Sequence, residues 1–163
     1  MGDYREVGKA LIHRLANIAG DVEIGEGSRV DAFVTITGSV VIGRNVHVST
    51  GACLFGGAGI EIGDYSAISV QAKVFTATED LGGEYFINPT VSRHRKPREA
   101  PISIGRHCCL SAGSILLPGA RMNDGACLGA LSMAKTPLAS WSVYAGVPAR
   151  YLKARSRGVL EWE

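Results

Sequence analysis

Residues 24–54 read IGEGSRVDAFVTITGSVVIGRNVHVSTGACL, with aliphatic side chains at Ile24, Val30, Ile36, Ile42, Val48 and Leu54, one every six positions. A helix repeats its apolar positions every 3.6 residues and a lone strand every 2, so a period of six fits neither. A small or β-branched residue stands two positions before several of these, as in Ser28 to Val30, Val40 to Ile42 and Ala52 to Leu54. Spacing two places both on one face of a short strand. Each hexad is therefore a strand plus a corner, and three hexads close a triangular coil with the aliphatic residues stacked inside.

Outward from this stretch the register slips by two, resumes at Ile62, Ile68 and Val74, and pauses for a polar insertion. It returns as Ile104, Leu110, Leu116, Met122, Leu128 and Ala134, which makes fifteen hexads and five coils. At the spacing of paired strands the prism is roughly 24 Å long. The expected fold is an all-β solenoid, a parallel β-helix over residues 21–140 with an inserted loop at 75–101. Open ends of such a prism need caps. Tyr4, Val7, Leu11, Leu15 and Ile18 fall at helical spacing and predict an N-terminal helical cap within residues 1–20. Residues 141–163 form the C-terminal segment, where Pro148 opens a short helix carrying Tyr151, Leu152, Lys153 and Arg155.

Composition narrows the function classes. A chain of 163 residues suits one domain. A net charge of +2 without a long basic run gives no reason to expect nucleic acid. Twenty-one glycines beside 7% aromatic residues speak for many tight turns and against a core of large rings. Cys53, Cys108, Cys109 and Cys127 show no CxxC spacing, and no N-terminal apolar stretch suits a signal peptide or membrane span. A soluble, cytoplasmic protein is expected.

The hexads Ile42-Gly43-Arg44-Asn45-Val46-His47, Ile62-Gly63-Asp64-Tyr65-Ser66-Ala67 and Ile104-Gly105-Arg106-His107-Cys108-Cys109 resemble the signature of the left-handed β-helix acyltransferases. Leu117-Pro118-Gly119, Gly129-Ala130-Leu131-Ser132 and Tyr144-Ala145-Gly146-Val147-Pro148-Ala149-Arg150 resemble, in order, the closing motifs of the galactoside and maltose acetyltransferase branch. Thr78-Glu79-Asp80-Leu81-Gly82-Gly83 followed by Asn88-Pro89-Thr90 is similar to the sugar acyltransferases encoded in bacterial surface-polysaccharide (lipopolysaccharide) gene clusters. The resemblance spans about residues 21 to 155. It implies a left-handed coil, a homotrimer with active sites between subunits, acetyl-CoA as acyl donor, and a sugar or nucleotide-linked sugar as acceptor through a hydroxyl or amine.

Acyl transfer from a thioester needs a base beside the attacking group, donors for the developing oxyanion and a groove for the pantetheine arm. No metal is required. Long insertions on rigid scaffolds commonly carry such groups, and the insertion holds Glu79, Asp80 and His94. His94, in Ser92-Arg93-His94-Arg95-Lys96, is read as the general base or as part of a solvated basic loop. The residues around it depart from the galactoside branch's own histidine motif. Glu79 and Asp80 could instead accept the proton, hold sugar hydroxyls or form a turn. His13, His47 and His107 are read as structural or surface positions. The motif match implies that Ala112 and Ala130 offer backbone to pantetheine, with Lys135, Thr136, Arg150 and Lys153 near the cofactor phosphates. Lys135-Thr136 reverses the branch's usual order, and Arg150 and Lys153 could equally complement a helix C-terminus.

Outward strand positions hold Val41, Cys53, Cys109, Ile115, Cys127 and Met133, apolar where a monomer would be polar, which suggests an interface. Two rival readings stand beside the acyltransferase. One is a β-helix scaffold or binding protein without activity. The other is a carbonic-anhydrase-like metal enzyme, which would need three histidines around one zinc.

Overall fold

The computed structural model describes residues 3–163, so Met1 and Gly2 of the expected cap lie outside it. The chain winds a left-handed parallel β-helix of about seven turns. On the first face the strands Ala10–His13, Arg29–Val30, His47–Val48, Ala67–Ile68, Cys109–Leu110, Cys127–Leu128 and Ser142–Gly146 stack in parallel register. The second face carries Thr35, Cys53, Lys73, Ile115 and Met133 on successive rungs, and the third Val41, Glu61, Ser103 and Arg121. Inside, the hexad side chains form one apolar column, with Ile36, Leu54, Ile68, Leu110, Leu116 and Leu128 fully buried. The residues two positions earlier are small because they fill the corners. Among them Ser28 and Ser66 are buried, and each spends its hydroxyl between two coils: Ser66 donates to the Gly105 carbonyl and accepts from the Cys108 N–H.

The repeat is longer than the fifteen hexads. Ile12 and Ile18 extend it upstream and Leu138 and Tyr144 downstream, all in contact with the core, so the count of five coils is corrected to about seven. The N-terminal helix is also corrected. Tyr4–Val7 and Ala10–His13 form an antiparallel hairpin, with Ala10 and Ile12 turned inward and Leu11 outward. Their alternation fits a strand, and pairing with the next coil supplies hydrogen bonds that a helix would have to forgo. The helix expected at Pro148 is likewise a hairpin: Ala149–Ala154 turns back antiparallel on Ser142–Gly146. The single C-terminal helical element is a 3₁₀ turn at Gly158–Trp162.

Corners turn at left-handed backbone positions. On the edge between the third and first faces these are Gly27, Asn45, Tyr65, His107, Gly125 and Trp141, with φ from 51° to 73°. Side chains tolerated there lie along the prism axis, so Tyr65 and His107 stack at 5.2 Å with planes 6° apart and Trp141 follows at 6.0 Å. Between the second and third faces the turn relies on glycine. Gly38 has φ +86°, and a Cβ there would sit 2.5 Å from the Gly56 carbonyl carbon. The two-residue slip is absorbed at this edge, where pairing jumps from Gly38–Gly56 to Val40–Ile60.

Candidate active site

The polar insertion leaves the coil at that same edge. Its stem is a two-rung ladder, Ala77–Thr78 against Arg98–Glu99. Thr76 pins it: this fully buried hydroxyl donates to the Phe55 carbonyl at 2.8 Å and accepts from the Ala58 N–H at 3.0 Å, while the Thr76 carbonyl receives the Ala100 N–H. The hexad spacing does not mark Thr76, and its only signal in the sequence is a polar residue at an inward place two positions after Val74.

The three acid–base candidates on the insertion differ in their engagement. Asp80 accepts the backbone N–H groups of Gly82, Glu84 and Tyr85 at 2.8–3.0 Å. Those donors, Gly82 first, hold its carboxyl below the usual range. Glu79 takes a two-pronged contact from Arg95, Nε at 2.9 and 3.0 Å, and Arg95 depresses it likewise. Both acids line a cleft of about 470 Å³ with Tyr85, Lys96 and Arg98. His94 is not among that cleft's lining; it is exposed, with its ring 6.2 Å from Phe86.

Past the foot of the stem, on both sides of it, a hollow of about 610 Å³ follows the edge, lined rung by rung by Ser39, Ala58, Ala100, Gly119 and Pro137, with Arg121 at its side. Its small walls leave room for a slender chain laid parallel to the prism axis. Lys135 and Thr136 are exposed at its far end, next to Pro137. The other residues implied for the cofactor lie elsewhere on the same chain. Ala112 and Ala130 stack on the edge between first and second faces, where the Leu131 N–H meets the Ala112 carbonyl, and Arg150 pairs with Ala145 below them. Lys153 pairs with Val143.

The remaining histidines occupy two places, His13 and His47 on either side of the Tyr4–Asp31 pair and His107 further along the coil. His13 packs edge-on against Tyr4 in the hairpin. His47 lies 2.8 Å from Asp31, which also receives Tyr4 and Arg29. His107 is 6% exposed rather than a surface residue. Burial first, then Arg106 and Arg155, push its pKa down. Its ring faces Glu163 at 3.1 Å, and Arg155 donates to the carbonyls of His107 and Gly125.

Residues 21–56 match the bacterial transferase hexapeptide (six repeats) family. Over 147 residues the chain is 31% identical to the dTDP-4-amino-4,6-dideoxy-D-glucose acyltransferase of Escherichia coli, covering 88% of this chain and 77% of the relative. The chain belongs to the hexapeptide-repeat acyltransferases. This acyltransferase is also similar to AntD, an N-acyltransferase of Bacillus cereus solved with dTDP and 3-hydroxybutyryl-CoA. The TM-score is 0.92 at 33% identity, covering 95% of this chain and 85% of that one. A variant of AntD binds dTDP-4-amino-4,6-dideoxyglucose and coenzyme A. PerB of Caulobacter crescentus, at 20% identity and a TM-score of 0.68, shares the fold. In the acyltransferase described here, the acids and His94 share one edge with Lys135 and Thr136, and a single chain leaves Ala112, Ala130, Arg150 and Lys153 apart from them. Among the described residues no helix is long and apolar enough to cross a membrane.

Proposed function

We propose that the protein transfers an acyl group, acetyl being the simplest, from acyl-CoA to the amino group of a nucleotide-linked amino sugar. The observation that carries this reading is the small-walled hollow that passes the loop stem and ends at Pro137, beside the exposed Lys135 and Thr136. A pantetheine arm lying in it would point its thioester at the loop and its phosphates at Lys135, a charge-assisted contact. Loop and lysine are two rungs apart, about 10 Å along the axis. The likeness to relatives that handle dTDP-linked amino sugars supports the acceptor class.

The attacking amine must lose a proton as the tetrahedral intermediate forms. Imidazole is a common base for that transfer, and His94 is the loop candidate whose side chain is not already held by an ion pair or backbone donors. Asp80 shapes the loop through its three N–H partners, and Glu79 with Arg95 braces the chain beside His94. A second copy would complete the groove by bringing the edge of Ala112, Ala130 and Arg150 against it. The second face, where Cys53, Ile115 and Met133 point outward and are half-buried, is the surface suited to packing in a homotrimer. An acyl-CoA donor and four free thiols support a cytoplasmic setting.

The test is thiol release from acetyl-CoA with dTDP-4-amino-4,6-dideoxyglucose against the matching unaminated sugar. Turnover with the amino sugar alone is expected, and Ala100→Trp, which fills the hollow, should raise KM for acetyl-CoA at least tenfold. Absence of turnover across a panel of amino sugars and sugars would support the scaffold reading instead.

A further inference from the structure

The four cysteines differ in ways that acyl transfer does not use. Cys108 points into the core at 2% exposure, and burial pushes its thiol up to about 11, so it is inert. Cys53 stands on the second face opposite Thr35 and Lys73. Cys109 and Cys127 are register partners on adjacent parallel rungs of the first face, both outward and half-buried. Their rungs are fixed on either side by the Cys109 N–H on the Ala126 carbonyl and the Ser111 N–H on the Leu128 carbonyl, each 3.0 Å. Adjacent rungs lie about 4.8 Å apart, inside the ~4.4–6.8 Å range of Cα separations that a disulfide spans.

The surroundings of the two sulfurs also differ. Ser111 Oγ lies 3.7 Å from the Cys109 sulfur. The neighbouring Cys127 thiol, with help from Ser111 and the positive charge of Arg155, holds the Cys109 thiol below the usual range despite its burial. Cys127, beside Cys109 and half-buried, is pushed the other way. One sulfur is thus prepared as a thiolate nucleophile and its neighbour remains a thiol.

We propose that Cys109 and Cys127 form a reversible oxidation site, at which a peroxide closes an intrachain disulfide across neighbouring rungs. The Cys109 thiolate attacks one oxygen of hydrogen peroxide, the O–O bond breaks, and Cys109 becomes a sulfenic acid as hydroxide leaves. The Cys127 sulfur then attacks the Cys109 sulfur; the S–O bond breaks and the departing hydroxide takes the Cys127 proton as water. In sum, two thiols and one peroxide give a disulfide and two waters, the sulfurs losing the two electrons that the peroxide gains. Side chains on parallel rungs point the same way, so the bridge must draw their β-carbons together. Such a bridge is readily reopened by a small thiol.

Neither step uses the loop, the groove or an acyl donor, so the test stands apart from the proposed activity. The native protein is treated with hydrogen peroxide, unfolded for a thiol count, and mapped by peptide mass spectrometry. We expect four free thiols to fall to two, the chain to lose two hydrogens in mass, and residues 109 and 127 to be linked until dithiothreitol is added. Because Cys108 shares a peptide with Cys109, Cys108→Ala should still close the bridge, and Cys127→Ser should halt at a sulfenic acid on Cys109 that dimedone traps. Cys109→Ser should slow thiol loss at least tenfold. Wild-type protein that keeps four thiols, loses the Cys53 thiol first, or links chain to chain would overturn the proposal.

Discussion

Asp80, Glu79 and His94 share one loop, and their surroundings leave them unequal freedom. A carboxylate already accepting three backbone N–H groups has little capacity for a fourth partner, and one clasped by a guanidinium must give that contact up before it can take a proton. His94→Ala is therefore expected to lower kcat by about 10²-fold, the scale of a lost general base, while Asp80→Asn acts through loop order. A near wild-type rate for His94→Ala in a steady-state assay would transfer the role to Glu79. Thr76 makes a different kind of claim on the same loop. Thr76→Val keeps its volume but leaves the Ala58 N–H without its partner, while the Phe55 carbonyl keeps only the Thr76 backbone N–H, at a cost of about 1–3 kcal/mol. Thr76→Ser retains the hydroxyl, so thermal unfolding should place it much closer to wild type.

Hairpins and corners, more than strands, distinguish this chain from a regular repeat. The N-terminal hairpin is latched to the coil through Asp31, which accepts Tyr4 Oη and Arg29 Nε at 2.7 Å and lies 2.8 Å from His47 Nε2. Burial raises the Asp31 pKa, but the bonds from Tyr4, His47 and Arg29 outweigh it, and the carboxyl sits below its ordinary value. Between the folded and the ordinary value the unfolded chain binds more protons, so the latch contributes fully above the ordinary carboxylate pKa and is lost as pH falls through the folded one. A melting-temperature series from pH 6 to 3 should fall more steeply for wild type than for Asp31→Asn, which has no proton to gain there. The hexads from Ile24 to Ala134 can be read directly because every inward position holds an apolar residue, bulky at all but the last. Ile12 and Ile18 belong to the same series, but Leu11 and Leu15 beside them imitate a helical stripe. The burial of His107 is not legible in the spacing, which does not show that a left-handed corner turns the side chain along the edge, under Arg155 and beside Trp141.

At the scale of the molecule, the apolar outward residues anticipated as one interface divide among three faces: Cys109 and Cys127 on the first, Cys53, Ile115 and Met133 on the second, and Val41 on the third. Only the second-face set is assigned to subunit packing, and Ile115→Glu combined with Met133→Glu should reduce the sedimenting mass to one chain while leaving the strand signal in circular dichroism unchanged. Loss of acyl transfer together with assembly is expected if the groove is completed by a second copy. The loop's place in the winding has one more consequence. Because each turn adds a fixed increment of about 4.8 Å, the coil acts as a graduated scale on which the insertion marks a height. Splicing one extra turn between the stem at Ala100 and Lys135 would lengthen the reach from loop to lysine by that single increment, so donors with a longer or shorter arm could be matched by moving the mark, with no residue of the loop redesigned.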